Sequence, residues 1–232
     1  MNIVKGGKTF YGYEVGIIML DTKFPRIQGD IGNALSFGYP VLFEKVVDWK
    51  PSKVVLDLSK KDIEPFIDAA KRLERAGCKI ISTSCGFLSL FQKEIADSVD
   101  VSVFTSALIM APMIKQTISS DKKVCILTAN KKTLSNEHLF SVGINRNDYI
   151  IYGLEEEKTF TNFTVQNWDE VDVDECRNDL LKVTRRAISD NNIGAILLEC
   201  TNMPPFANDI KRISGLPVYD IISLLGFAKN AL

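Results

Sequence analysis

The sequence has few of the residues and motifs on which several large enzyme classes depend. It contains one histidine, and its five cysteines include no Cys-x-x-Cys pair. These counts exclude chemistry that needs several imidazoles, and they argue against a structural zinc site or a disulfide framework. The chain also lacks a Walker-type lysine loop and a Gly-x-Gly-x-x-Gly loop, which disfavours a nucleotide-dependent enzyme. Proton transfer must therefore rely mainly on Cys, Asp, Glu, Lys or Tyr.

The chain has neither an excess of charge nor a long apolar segment. Its 28 Lys and Arg residues nearly balance 29 Asp and Glu residues, so the net charge is −1. This balance predicts no general attraction to nucleic acid or to an anionic membrane. The longest apolar stretch, 101–114, is interrupted by Ser and Thr and is shorter than the roughly 18 residues that a membrane span needs. Because no apolar leader follows Lys5 and Lys8, we expect a soluble, cytoplasmic protein.

Short apolar runs alternate with longer amphipathic ones, a pattern typical of βαβ units and parallel sheets. We predict strands at 14–20, 53–58, 79–84, 101–107, 123–130, 148–154, 194–199 and 217–222. We predict helices at 62–76, 86–96, 108–119, 133–142, 172–190 and 204–213, with one more closing the chain. The polar segment 155–171 is expected to be irregular.

One unit occurs twice: a long amphipathic helix, a short apolar strand, a cysteine and the start of a helix. It covers 62–87 and 172–203. The repeat predicts an α/β protein of two pseudo-symmetric lobes, each a parallel sheet flanked by helices, with the active site in the cleft between them. We expect residues 1–118 plus 215–232 to form the N-terminal lobe and residues 119–214 the C-terminal lobe.

Cys85, in the N-terminal lobe, and Cys200, in the C-terminal lobe, each follow a predicted strand and precede a helix. Ligands of parallel sheets bind outside these strand ends, and a helix N-terminus favours thiolate over thiol. Two such lobes would present the sulfurs to opposite sides of one ligand, which suits removing a proton from one face of a carbon and returning one to the other. The alternative is that both are small core residues, which is the interpretation we adopt for Cys78, Cys125 and Cys176.

Three segments resemble the aspartate/glutamate racemase superfamily of cofactor-independent amino-acid racemases. Ile17-Ile-Met-Leu-Asp-Thr22 is similar to the first strand and Asp-Ser loop of glutamate racemases. Ser82-Thr-Ser-Cys85 stands where the family has its first catalytic cysteine. Leu198-Glu-Cys-Thr-Asn202 stands where the family has Gly-Cys-Thr followed by His or Glu. The resemblance extends over nearly the whole chain.

The resemblance implies an isomerase of amino-acid metabolism that needs no pyridoxal phosphate, metal or other cofactor. Its activity would be that of a racemase or epimerase of a small carboxylated substrate, aspartate or glutamate. Cys85 and Cys200 would be the catalytic pair and would exchange protons with the two faces of the α-carbon. A homodimer is also implied. The expected partner is a small-molecule carboxylate, and neither nucleic acid nor a membrane is expected.

The chain departs from the family pattern beside both cysteines. It has Gly86-Phe87 where the family has Asn-Thr, and Asn202 where glutamate racemases carry His. Asn is neither an acid nor a base, so any tuning of Cys200 must come from Glu199 or the helix end. These changes affect the expected substrate more than the reaction. A maleate-type cis–trans isomerase or a related lyase on the same scaffold stays open, as does a non-catalytic two-lobed binding protein.

Other candidate binding residues lie at predicted strand ends and in the polar loop 21–33. Arg26 can clamp a carboxylate bidentately, and Asp21 can orient a thiol or accept from a substrate ammonium. N–H groups after each cysteine, with the Thr201 hydroxyl, are donors for charge that develops on a carboxylate. His138 is expected mid-helix, at the surface or half-buried. The candidate binding set is Asp21, Thr22, Arg26, Gly86, Phe87, Thr128, Asn130, Thr201 and Asn202.

Overall fold

The computed structural model describes residues 3–190 and 192–232 and contains two parallel four-stranded sheets. The strands are β1 (Val15–Leu20), β2 (Val41–Val46), β3 (Ile80–Thr83), β4 (Ser102–Phe104), β5 (Lys123–Thr128), β6 (Tyr149–Gly153), β7 (Ile193–Leu198) and β8 (Val218–Tyr219). The strand order is β2-β1-β3-β4 in one sheet and β6-β5-β7-β8 in the other. Adding four to each strand number converts the first order into the second. The prediction of two pseudo-symmetric α/β lobes is therefore confirmed.

Helices connect the strands and cover the sheets. They are α1 (Pro51–Asp57), α2 (Glu64–Ala76), α3 (Gln92–Ala96), α4 (Ala111–Thr117), α5 (Asn136–Phe140), α6 (Lys158–Thr164), α7 (Val173–Asp190), α8 (Ala207–Ser214) and α9 (Ile221–Lys229). Short 3₁₀ turns occur at Ala34–Ser36, Lys60–Asp62, Gly86–Phe91, Ala107–Met110, Arg146–Asp148 and Pro204–Phe206. None of the helices described in 3–190 and 192–232 is long and apolar enough to cross a membrane.

Helix α2 shows how the apolar spacing produces a packed element. Its buried residues, Phe66, Ala69, Ala70 and Leu73, recur at steps of one, three and four and face the sheet. The helix ends at Gly77, whose φ of 110° is a left-handed conformation that only glycine adopts without strain. This confirms the helix that the sequence predicts over 62–76.

The core fills both lobes and includes the three cysteines assigned to it. Cys78, Cys125 and Cys176 are all buried. The close approach of α2 to β1 requires a glycine at position 16, where a Cβ atom would lie 2.9 Å from both Cys78 Sγ and Leu73 Cδ2. The first lobe is therefore packed tightly behind the strand end that carries Cys85.

The structure departs from the predicted elements at several places. Residues 53–58 form helix α1 instead of a strand, because Pro51 begins a helix whose inner face buries Val54 and Val55. A short apolar run of this kind does not distinguish a strand from a buried helix. The segment 155–171 contains helix α6, which buries Phe160 and Phe163. Of the strand predicted at 217–222, only Val218–Tyr219 forms a strand, β8, and α9 begins at Ile221.

The predicted lobe boundary at residue 214 also needs a correction. Strand β8 pairs with β7 through Ile196 and Val218, so it belongs to the sheet of the second lobe. Helix α9 returns to the first lobe and contacts β3. The assignment of 215–232 to the N-terminal lobe thus fails for β8, because its backbone completes the second sheet.

Replacing Leu73 tests the packing of α2. Leu73 is 1% exposed, so Leu73→Ala should lower the free energy of unfolding by about 2–5 kcal/mol, measured by urea denaturation. The matched control is Leu35→Ala, because Leu35 is 74% exposed and its truncation should change the same quantity by less than about 0.5 kcal/mol. Equal losses in the two variants would contradict this packing.

Candidate active site

The carboxyl ends of β3 and β7 meet at one small cavity. Cys85 lies two residues after β3 and Cys200 two residues after β7, and both line this cavity. The apolar part of the lining consists of Leu20, Phe24, Pro51, Val55, Phe87, Ala129 and Val165. The remaining lining residues are Thr22, Arg26, Ser84, Gly86, Thr164, Glu199, Thr201 and Asn202. The cavity thus joins the two thiols to apolar walls and one cationic side chain.

The two thiols have closely similar backbone environments. Each sulfur is hydrogen-bonded to the backbone N–H two residues further on, from Phe87 to Cys85 and from Asn202 to Cys200. These bonds favour the thiolate, as expected. The segment after Cys85 is the 3₁₀ turn Gly86–Phe91 and not the predicted α-helix. Single N–H groups therefore take the place of the helix dipole.

Burial dominates the acidity of both thiols. It raises the pKa of Cys85 to about 12, with a further upward contribution from the charge of Glu199 and a downward one from Arg26. Burial also raises the pKa of Cys200 well above its ordinary value, and the charges of Glu199, Cys85 and Asp30 act in the same direction. A negative charge on one of these groups thus opposes a second one nearby.

Asn202 distinguishes the two thiols. Its Nδ2 donates to Asp30 Oδ2 at 2.6 Å, and its Oδ1 lies 3.6 Å from Cys200 Sγ. An ionised carboxylate only accepts, so the contact with Asp30 fixes the orientation of the amide and leaves Oδ1 to accept the Cys200 S–H. This bond holds Cys200 in its protonated form. In the described part of the chain Cys85 has no such bond, and the charge of Arg26 lowers its pKa.

Asp30 is a buried carboxylate that organises the loop 21–33. It is 1% exposed, and its Oδ1 accepts from Arg26 Nη1 at 2.8 Å and from the Gly32 N–H at 2.7 Å. Arg26 Nη2 also donates to Thr22 Oγ1 at 3.0 Å. Through Asn202 the same carboxylate joins this loop to the second lobe. The sequence analysis treated the loop as functional but did not single out Asp30.

Two further contacts join the lobes beside the cysteines. Thr201 Oγ1 donates to the backbone oxygen of Ser84 at 2.7 Å. Gly29 lies against Pro205, and a Cβ atom at position 29 would be 2.8 Å from Pro205 Cα. The sulfur-bearing segments of the two lobes are thus held against each other by direct bonds.

Most of the candidate binding residues are brought together here. Of the set predicted from the sequence, Thr22, Arg26, Gly86, Phe87, Thr201 and Asn202 line the cavity. Thr128 lies outside it but supports it from behind, because its Oγ1 donates to Glu199 Oε2 at 2.7 Å. The functions of these residues stay predictions.

Two candidate residues are directed elsewhere. Asp21 accepts from Lys45 Nζ at 3.0 Å and from the Asp48 N–H at 3.2 Å, so the loop bonds of its carboxylate keep it out of the cavity. Asn130 Oδ1 accepts from the N–H of Lys132 at 2.9 Å, a hydrogen bond from side chain to backbone that is typical of turns. Neither Asp21 nor Asn130 lines the cavity, and their functions stay predictions.

His138 is buried, and not at the surface or half-buried as the sequence suggested. Its Nδ1 lies 2.8 Å from Ser135 Oγ, and its ring packs edge-on against Phe87 at 5.3 Å between centroids. Burial lowers its pKa to about 4. The imidazole is therefore neutral at physiological pH, and it lies behind the cavity wall.

Several lining residues carry no sequence signal that identifies them. Thr164 and Val165 come from the segment predicted to be irregular, and Phe24 packs on Phe163 with 5.0 Å between ring centroids. Glu199 was considered only as a group that tunes Cys200. Among residues 3–190 and 192–232, no group of three or more His, Cys, Asp or Glu is arranged to hold a metal ion.

The fold and the cavity together define a two-lobed α/β protein of the racemase type. The family described as Asp/Glu/Hydantoin racemase matches residues 57–225, and the chain belongs to this family. The glutamate racemase from Francisella tularensis subsp. tularensis SCHU S4, solved with D-glutamate, has the same fold. Its TM-score is 0.55 at 16% identity, covering 91% of this chain and 77% of that one.

Two curated relatives carry a different name. A dimethylsulfoniopropionate lyase from Durusdinium sp. clade D is 29% identical over 216 residues, which cover 90% of this chain and 71% of the relative. Dimethylsulfoniopropionate lyase 3 from Emiliania huxleyi (strain CCMP1516) is 30% identical over 220 residues, 90% of this chain and 57% of the relative. The chain thus spans between about half and three-quarters of the length of these two relatives.

Removing the buried Asp30 carboxylate tests its importance for the site. Asp30→Asn leaves the guanidinium of Arg26 without its partner, so the free energy of unfolding should fall by about 3 kcal/mol in urea denaturation. The control is Asp169→Asn, whose exposed pair with Lys23 at 3.7 Å should contribute less than about 1 kcal/mol. A loss no larger than in the control would show that the buried pair does not organise the loop.

Proposed function

We propose that the protein is a cofactor-independent lyase that acts on a small monocarboxylate. The Cys85 thiolate removes the proton on the α-carbon, and a leaving group departs from the β-carbon. The observation that carries this proposal is the placement of two thiols, one from each lobe, in a mostly apolar cavity with a single guanidinium. Such a cavity supports proton abstraction next to a carboxylate, which N–H donors and a cation stabilise.

The charges of the cavity favour one carboxylate over two. Arg26 is the cationic side chain of its lining, and Asp30 already pairs with it. Aspartate or glutamate brings two carboxylates and an ammonium, each of which needs a counter-charge or donor when buried. A substrate with one carboxylate has fewer charged groups that need a partner in the cavity. A bulky apolar β-substituent can pack against apolar wall residues such as Leu20 and Val55.

Dimethylsulfoniopropionate has these properties, and the curated relatives are named for it. Its carboxylate suits the donors beside the cysteines, and its sulfonium suits an aromatic residue such as Phe87 in the cavity wall. The elimination needs only one base for its atoms and electrons to balance. Cys85 takes the α-proton, the C–H electron pair forms the new C=C bond, and the C–S pair leaves on sulfur as dimethyl sulfide. Acrylate remains.

Racemisation of aspartate or glutamate is the second candidate, and Cys200 favours it. The Cys200 S–H is held by Asn202 at the strand end equivalent to that of Cys85. In a racemase this thiol would return a proton to the opposite face of the α-carbon. Elimination does not consume that proton, so the product formed distinguishes the two reactions.

The test is to incubate the protein with dimethylsulfoniopropionate and measure dimethyl sulfide in the headspace by gas chromatography. We expect release by the wild type and a loss of at least about 10³-fold in Cys85→Ser, which lacks an effective proton acceptor. Cys78→Ser is the control, because this core thiol lies outside the cavity lining. It should keep its turnover per folded molecule.

A parallel incubation with L-aspartate and L-glutamate in D₂O tests the second candidate. Incorporation of deuterium at the α-carbon with loss of optical rotation, and no dimethyl sulfide in the first assay, would reject the lyase in favour of the racemase. Activity that survives in Cys85→Ser would reject both thiol mechanisms.

A further inference from the structure

Cys200 is a buried thiol that the proposed elimination does not use. It lines the cavity, and it is 8% exposed. The chain turns directly after it, and the Met203 N–H donates to the Cys200 backbone oxygen at 3.1 Å. Asn202 lies within this turn, and its Oδ1 is 3.6 Å from Cys200 Sγ, within hydrogen-bond distance for sulfur. A thiol at the strand end equivalent to that of the base, with a hydrogen-bond partner of its own, needs an explanation in the reaction.

The orientation of the Asn202 amide is fixed from its other side. Nδ2 donates to Asp30 Oδ2 at 2.6 Å, and the second oxygen of Asp30 accepts from Arg26 Nη1 at 2.8 Å and from the Gly32 N–H at 2.7 Å. A carboxylate paired with a guanidinium only accepts, so a reversed amide would bring two acceptor oxygens together at 2.6 Å. Oδ1 therefore faces the sulfur, and the S–H group of Cys200 donates to it.

The equivalent position in the first lobe has no such acceptor. The residue two positions after Cys85 is Phe87, whose side chain cannot accept a hydrogen bond. Both sulfurs receive a backbone N–H from this position, so the lobes differ in the side chain alone. The charge of Asp30 adds to the difference, because it raises the pKa of Cys200. Asn202 thus engages the proton of one thiol of the pair.

Return of a proton is the step that separates elimination from racemisation. Removal of the α-proton by Cys85 leaves the C–H electron pair on the α-carbon, next to the carboxylate. In elimination this pair forms the C=C bond while the leaving group departs. In racemisation the Cys200 S–H bond breaks, sulfur keeps its electron pair, and the carbon pair forms a new C–H bond on the opposite face. A proton that is bound to Asn202 Oδ1 must first leave this buried acceptor unpaired, which is costly.

We propose that Asn202, oriented by Asp30, withholds the Cys200 proton from the substrate and so commits the site to elimination. Asn202 is a positioning residue that acts through Cys200, and Asp30 positions Asn202. This inference rests on the proposed function, because it names the side chain that determines which of two reactions the same pair of thiols performs.

The test is to incubate the protein with dimethylsulfoniopropionate in D₂O and to analyse the recovered substrate by mass spectrometry at half conversion. Return from Cys85 replaces only the α-hydrogen on its own face, so wild-type substrate should carry at most one deuterium. In Asn202→Ala the freed Cys200 also delivers deuterium to the opposite face, and repeated exchange replaces both α-hydrogens. The ratio of dideuterated substrate to dimethyl sulfide should rise at least about tenfold. An unchanged ratio would overturn the inference.

Three further variants make the result specific. Asn202→Ala combined with Cys200→Ala should return the ratio to the wild-type value, and dideuterated substrate that persists there would overturn the inference. Asn202→Leu fills a similar volume without either hydrogen-bonding group, so it should behave as Asn202→Ala does without leaving a cavity. Asn136→Ala is the matched control, because this exposed asparagine begins α5 outside the cavity lining. It should keep the wild-type ratio.

A second readout needs no substrate. Infrared spectroscopy follows the S–H stretching band of Cys200, assigned by its absence in Cys200→Ala. A hydrogen bond lowers the frequency of this band, so it should shift to higher frequency in Asn202→Ala and stay in place in Asn136→Ala. An equal frequency in the wild type and Asn202→Ala would overturn the inference. The expected shift in a protein that releases no dimethyl sulfide would reject the proposed lyase and keep the bond between Cys200 and Asn202.

Discussion

The burial of several acidic groups in one cavity is the constraint on which the site depends. Cys85, Cys200 and Glu199 all lie where burial raises their pKa values. In such surroundings a single negative charge is tolerable and a second one is opposed by the first. Asp30 pairs directly with Arg26 at 2.8 Å.

The symmetry of the fold and the asymmetry of the site have separate origins. Matching strand orders bring Cys85 and Cys200 to equivalent positions, and each sulfur receives an N–H bond from two residues further on. The neighbouring side chains break the equivalence. Ser84 precedes one cysteine where Glu199 precedes the other, and Asn202 binds only the second thiol. The two similar lobes thus give the two thiols different surroundings.

Much of this organisation could be predicted from the sequence. The recurrence of helix, strand and cysteine is a local pattern, and it was enough to predict both lobes and the meeting of Cys85 with Cys200 in one cavity. The departures beside the cysteines were also visible in the sequence. The contacts that explain them were not, because the bond between Asp30 and Asn202 joins residues 172 positions apart. The contact of Asp21 with Lys45 was not visible for a similar reason, since Lys45 lies on β2, a strand that the sequence analysis missed. The homodimer and the cytoplasmic location stay predictions.

The electrostatic coupling of these buried acidic groups can be measured directly by following the Glu199 carboxyl carbon. Protein labelled with ¹³C-glutamate would be titrated by NMR, with the Glu199 resonance assigned by its absence in Glu199→Gln. The account predicts a midpoint near pH 7 for this carbon, together with a second, smaller shift when Cys85 ionises at higher pH. A single midpoint near the ordinary value of 4.5 would show that Glu199 ionises independently of the thiols, and it would contradict the account.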